Sequence, residues 1–159
     1  PRGSLEWLDD SKLRVGIDPL MPDYLQLGVT GHKTSYVACN AEQLPFANAS
    51  FDIVTSINSL DHVDDLSLTL NEIARILTSG GHFIFLVEAH HKATLSEPIT
   101  IPWNLTTQLS HDFRIVSEYH YEEAKHRPGS AAAARASVPF DHSNTEKRSG
   151  TLLATLERL

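Results

Sequence analysis

The run His82–Glu88 (HFIFLVE) constrains this chain more than any other stretch. Its five central residues are all apolar, with none of the alternation expected of a strand that is wet on one side. Such a strand is buried on both faces, which suits a parallel sheet covered by helices. Just before it, Leu66, Leu70, Ile73 and Leu77 recur at helical spacing, so a helix is expected over about 66–77, stopped by Ser79-Gly80-Gly81. Three more runs read as strands: Leu13–Ile17 (LRVGI), Ser35–Cys39 (SYVAC) and Phe51–Ile57 (FDIVTSI). A helical turn is expected within 22–27, ended by Gly28 and Gly31, and a second helix over about 101–109 with Pro102 in its first turn. Phe113–Glu122 and Thr151–Leu156 read as a closing strand pair. The connection 127–148 between them is rich in Ala, Ser, Pro and Gly, with Ala131–Ala136 as its helical candidate. Alternating strands and helices imply an α/β fold with a mostly parallel, Rossmann-like sheet and right-handed crossovers, finished by an antiparallel hairpin.

The 159 residues suit one domain, and a chain of that length buries about two-thirds of the surface its unfolded form exposes. Thirteen basic against twenty acidic residues give a net charge of -7, which argues against nucleic acid and anionic membranes as partners and favours a small molecule. The only cysteine, Cys39, has no intrachain partner, so neither a disulfide framework nor a cysteine zinc site is available. With no long apolar run and no leader pattern, the chain reads as cytoplasmic. Oligomeric state has no signature here.

In a doubly wound sheet, ligands lie across the carboxyl ends of the strands, so polar residues that follow strands are the candidates. Asp18, with Pro19 and Leu20 beside it, follows the first run. Its carboxylate suits a ribose diol, and it equally suits the start of an Asp-Pro turn. Asn40, Ala41, Glu42 and Gln43 follow the second run, where a side-chain amide and neighbouring backbone groups match the edge of an adenine ring, or form a polar loop. Ser56, Ile57 and Asn58 close the third. Glu88, His90 and His91 end the fourth and open toward a substrate side. His62 is an ionisable group suited to general-base work, or to capping and packing. Adjacent histidines read as a solvated loop, so no metal is expected.

The strings N-A-E-Q-L-P-F (40–46), F-D-I-V (51–54), L-D-H-V (60–63) and R-I-L-T-S-G-G (75–81) occur in that order. Together they resemble the cofactor half of class I S-adenosylmethionine-dependent methyltransferases of the small-molecule type, whose pattern runs D-A-E-x-L-P-F…F-D-x-V and R-x-L-K-P-G-G. The chain departs from it at Asn40, where aspartate is commoner, and at Thr78-Ser79 in place of Lys-Pro. An asparagine keeps an acceptor for the adenine amino group. The resemblance implies S-adenosylmethionine as cofactor, with Asp18 on ribose, residues 40–43 around adenine and residues 56–58 near methionine. It further implies methyl transfer to a small-molecule acceptor. A nicotinamide oxidoreductase fits less well, because the L-P-F…F-D-I-V pairing is not its pattern.

The resemblance spans about Gly3–Glu88 and includes the tail of a glycine-rich loop at Pro1-Arg2-Gly3-Ser4, which makes Gly3 a cofactor candidate. A cleaved-tag remnant is the other reading of these four residues. The family's first strand would precede Pro1 and lie between the strands ending at Asp18 and near Ile57, so the domain is expected to be incomplete at its N-terminus. Without that strand two sheet edges would lack a partner. The alternative to an enzyme is a non-catalytic module that keeps the cofactor fold for binding or assembly.

Overall fold

The structure is a computed structural model and describes residues 10–28, 31–123, 130–144 and 149–159. Among these the elements run β1 (Val15–Ile17), α1 (Met21–Gln26), β2 (Ser35–Val37), β3 (Phe51–Ile57), α2 (Leu66–Ile76), β4 (Leu77–Ala89), α3 (Leu105–Gln108), β5 (Phe113–Tyr121), α4 (Ser130–Ala136) and β6 (Gly150–Arg158). Gly3 lies outside the described residues, as do parts of the 127–148 connection.

The strands form two sheets. β1 and β2 pair in parallel, with Val15 opposite Ser35 and Ile17 opposite Val37. The other sheet has the order β3-β4-β6-β5. Within it β3 and β4 are parallel, while β6 inserts antiparallel between β4 and β5. Three of its strands therefore run one way and only β6 opposes them, which is the expected mixture of parallel sheet and closing hairpin. The division falls between β1 and β3. No described strand pairs with the remaining edge of either one, and both end in a partly exposed isoleucine, Ile17 and Ile57.

α2 begins where Asp65, in extended conformation, accepts a hydrogen bond from the Leu68 N–H. Its buried stripe of Leu70, Ile73 and Ala74 lies against one face of the large sheet, where Phe83, Phe85 and Val87 of β4 and Leu152, Ala154 and Leu156 of β6 form the core. Each of the leucine, isoleucine, valine and phenylalanine side chains among them contributes roughly 1.5–3 kcal/mol through burial. The opposite face of β4 is covered less completely, since His82, Ile84 and Glu88 are only half-buried, so burial on both faces is partial. The helix also ends a residue earlier than the periodicity suggests. Leu77 turns extended and starts β4, which absorbs Ser79-Gly80-Gly81 as a bulge where pairing with β3 slips between Phe51 and Ile53. Of the two glycines only Gly80 takes the left-handed conformation (φ 79°). Gly81 is needed for space, since a β-carbon there would lie 2.9 Å from the Thr78 carbonyl oxygen. The expected 101–109 helix shrinks to α3, because Ile101 bridges Ala89 as a strand residue instead.

Candidate functional site

Asp18 follows β1, and its backbone N–H still reaches across to the Val37 carbonyl at the end of β2. One carboxylate oxygen, Oδ1, accepts from the Leu20 N–H at 2.8 Å and so shapes the turn into α1. The other oxygen bonds to no described residue, which leaves an acceptor suited to a diol. Pro19 and Leu20 are exposed beside it. Both alternatives for Asp18 thus hold at once, a turn-former with a spare oxygen.

After β2, Asn40 is exposed and its side-chain amide has no described partner, while its carbonyl accepts from the Gln43 N–H at 3.3 Å. What makes this loop rigid is its attachment to α2. Glu42 Oε1 accepts from the Asp64 and Asp65 N–H groups at 2.8 and 3.1 Å, placing a negative charge at the start of the helix. Leu44 is buried and its N–H donates to Glu72 Oε2 at 2.7 Å. Arg75 then donates to the carbonyls of Leu44 and Phe46, to Asn48 Oδ1 and to Glu72. The Arg75 hydrogen bond holds the Glu72 carboxyl below its ordinary range, against burial that pushes it up, and the Leu44 N–H assists. Phe46 meets Phe51 edge-on at 5.1 Å between ring centres. The N-A-E-Q-L-P-F string is therefore a strap, whose Glu42, Leu44 and Phe46 anchor it so that Asn40 and Ala41 are presented at the strand ends.

At the end of β3, Ser56 is buried and shares a 2.7 Å hydrogen bond with Ser59, so its hydroxyl serves the turn. Ile57 and Asn58 are exposed. Asn58 has φ 51° and His90, just past β4, has φ 57°, so two non-glycine residues hold left-handed conformations at neighbouring strand ends. Each is pinned by its N–H, Asn58 to the Leu86 carbonyl at 2.7 Å and His90 to the Ile101 carbonyl at 2.9 Å. Glu88 is half-buried. Burial pushes its carboxyl pKa up, opposed by a hydrogen bond from Ser149 and reinforced by nearby Glu123.

His62 and His91 converge on Asp61, which is 4% exposed. His62 lies 3.8 Å from Asp61 Oδ1 and His91 3.7 Å from Oδ2, each through Nε2. The 94–99 loop closes over them, for Ser96 carbonyl accepts from His62 Nδ1 at 2.8 Å and Asp61 carbonyl from the Ile99 N–H at 3.2 Å. His90 points elsewhere, toward Trp103 at 5.9 Å between ring centres. The two adjacent histidines are thus parted.

Trp103 is the centre of a group that the sequence did not single out. Its ring lies 4.6 Å from His120, 4.5 Å from Phe140 and 5.2 Å from His142, centre to centre. His120 Nε2 donates to Glu118 at 2.7 Å, which leaves its Nδ1 to accept from His142 Nε2 at 2.7 Å, and Thr106 donates to the other Glu118 oxygen. Because β5 runs alongside β6 with His120 opposite Leu152, and Leu152 lies opposite Val87, this group stands at the same sheet end as Glu88. The one available signal was the alternation of Glu118 and His120 along β5, which places both on one face.

The positions that follow β1, β2, β3 and β4 all lie at carboxyl ends of parallel strand pairs, the place where α/β sheets bind ligands. Residues 6–85 match the family described as "Methyltransferase domain". A ubiquinone/menaquinone biosynthesis C-methyltransferase of Psychromonas ingrahamii is 36% identical over 93 residues, 58% of this chain and 34% of that protein. Among solved structures, an S-adenosylmethionine-dependent methyltransferase from Mesorhizobium loti superimposes with a TM-score of 0.62 at 16% identity, covering 93% of this chain and 81% of that one. The [4+2]-cyclase SpnF superimposes with a TM-score of 0.61 at 18% identity, covering 93% and 67%. The chain spans between about a fifth and a third of the length of the curated relatives it matches. The match over half of the sequence, together with the strap and strand-end geometry, establishes that this chain belongs to the class I S-adenosylmethionine-dependent methyltransferase domain family.

Proposed function

We propose that this chain takes part in methyl transfer from S-adenosylmethionine to a small-molecule acceptor, as a single methyltransferase domain. The observation that carries the proposal is the strap after β2, tied to α2 through Glu42, Leu44 and Phe46, with Asn40 following β2 as Asp18 follows its parallel neighbour β1. In this reading Asp18 accepts from the ribose hydroxyls, with Pro19 and Leu20 lining the same edge. Asn40 accepts from the adenine amino group, and the backbone of Ala41, Glu42 and Gln43 meets the ring. Ser56 shapes the turn by which Ile57 and Asn58 face the methionine end, and Gly3, a further cofactor candidate, lies outside the described residues.

The sulfonium of the bound cofactor supplies an already activated methyl group. What remains for the protein is alignment of donor and acceptor and exclusion of water, a contribution on the order of 7–11 kcal/mol. The acceptor side is assigned to His62, Glu88, His90 and His91. His62 is the proton-accepting candidate, since its Nδ1 proton is committed to Ser96 and its Nε2 lone pair is left available. The curated relative named above acts, by its name, in quinone biosynthesis, which supports a small organic acceptor. The net charge of -7 supports the same choice over nucleic acid. Among the described residues no helix is long and apolar enough to cross a membrane, and the cytoplasm is the compartment we assign.

Calorimetric titration with S-adenosylmethionine is the test, followed by transfer of a labelled methyl group to candidate quinols and phenols. Saturable one-to-one binding is expected. A second reading, a binding or assembly module that retains only the cofactor fold, is favoured by the split between β1 and β3. Absence of any binding heat would select it.

A further inference from the structure

Asp61 is an aspartate whose side chain is only 5% exposed, yet its Oδ1 has no hydrogen-bond partner, and neither has the buried Nε2 of His91. A buried carboxylate without compensation costs several kcal/mol. Its surroundings make the deficit specific. His62 donates its Nδ1 proton to the Ser96 carbonyl, and His91 donates its own to the Lys92 carbonyl at 3.1 Å. Both imidazoles therefore turn an Nε2 lone pair toward the Asp61 carboxylate when neutral, at 3.8 and 3.7 Å. These separations exceed hydrogen-bond length. Two lone pairs and a carboxylate facing one another repel unless a cation stands between them.

Glu97 completes the set. A carboxylate oxygen of Glu97, one of Asp61 and a ring nitrogen of His62 lie within 4.8 Å of one another. Donors held about 2.0–2.2 Å from a common tetrahedral ion stand about 3.3–3.6 Å apart, so closure requires side-chain movements of up to roughly an ångström. The half-exposed Glu97 and the exposed His62 are free to make them. The framework is held from both sides. Glu97 closes a turn with Thr94, its N–H donating to Thr94 Oγ1 and its carbonyl accepting from the Thr94 N–H, both at 3.0 Å. The Ser96 and Ile99 contacts then tie that turn to His62 and Asp61. Orientation of a ligating imidazole by a carbonyl on its other nitrogen is the outer-shell pattern of metal centres.

We propose that Asp61, His62 and Glu97 bind a first-row divalent transition-metal ion such as Zn2+, with His91 against the second Asp61 oxygen. One imidazole nitrogen with two carboxylates suits such an ion better than Ca2+ or Mg2+, which favour all-oxygen shells. The ion places a Lewis acid at the sheet end that holds Glu88, and because it takes up the His62 Nε2 lone pair, the proton-accepting role proposed for His62 belongs to the metal-free protein alone. The inference stands on the chain's own side chains and does not depend on the methyl-transfer reading.

The test is calorimetric titration of chelator-treated protein with ZnCl2, in wild type and in the His62→Gln and Glu97→Gln variants, with His111→Gln as a remote control. One equivalent should bind to wild type and the control, and each ligand substitution should weaken binding by at least about tenfold. Both substituted positions are partly solvent-exposed, and circular dichroism without metal verifies that the variants fold. A second measurement uses no substitution: Co2+ bound to the wild-type protein should show visible d–d bands more intense than those of the hydrated ion. Binding that persists unchanged in both variants places the ion elsewhere, for instance at His120 and His142, and overturns the proposal. So does the absence of saturable Zn2+ binding together with a Co2+ spectrum of the free ion.

Discussion

Replacing Asp18 by asparagine separates the two tasks that the residue combines. Oδ1 accepts from the Leu20 N–H at 2.8 Å in an exposed turn, and an asparagine oxygen can occupy the same position, so the turn should survive. The second oxygen becomes an amide NH2, which cannot accept from a ribose hydroxyl. Loss of one charge-assisted hydrogen bond costs about 1.5–3 kcal/mol, which converts to a dissociation constant for S-adenosylmethionine raised roughly tenfold to 150-fold. Melting temperature without ligand should shift by less than about 2 °C, because an exposed neutral bond replaces an exposed charged one. Isothermal titration with S-adenosylmethionine and S-adenosylhomocysteine reads the first quantity, and calorimetric melting the second. Affinity within twofold of wild type, in a variant with unchanged melting, would remove Asp18 from the ribose and refute the assignment. A large drop in melting temperature would instead show that the turn, and not the ligand, needs the charge.

Three further expectations follow from packing and charge. Phe85→Ala, at a completely buried position on β4, should cost about 3–5 kcal/mol and lower the melting temperature by roughly 6–20 °C; a drop below 3 °C would mean that the core collapses around the cavity. Glu42→Ala removes the acceptor for two N–H groups at the start of α2 and should destabilise by about 1 kcal/mol, while Glu42→Gln retains most of that, as denaturant titration can show. Glu88 has its pKa raised by burial, so the folded state binds the proton more tightly than the unfolded one. Stability from this group is complete below the ordinary carboxylate range and is lost as pH rises through the higher folded value. Glu88→Gln should therefore melt above wild type at pH 7, with the gap closing on acidification, and a gap that widens toward acid would contradict the direction.

The sheet's composition could be read from residues in sequence order. Phe51–Ile57 is recovered as β3 to the residue, and the 66–77 periodicity as α2, because neighbouring residues on one strand or helix share an environment set by a short repeat. Boundaries failed where a glycine or a tertiary bridge intervened. The bulge at Gly80 and Gly81 joined the turn to β4, and the Ala89–Ile101 bridge took the start of the expected 101–109 helix. The site divides in the same manner. Asp18, Asn40, Asn58 and His90 could be named because each follows a strand.

By itself the sequence determined the order of elements, the polar residues closing each strand and the family, since all three are carried by local periodicity and by strings of adjacent residues. Tertiary structure alone decided that Glu42 caps a helix 22 residues away, that Arg75 staples Leu44 across 31, and that Trp103 gathers His90, His120 and His142. It also decided that Asp61 is buried with an oxygen left unpaired. These are distances between residues far apart in the chain, and they exist only once crossover connections and the insertion of β6 between β4 and β5 have brought the strand ends together.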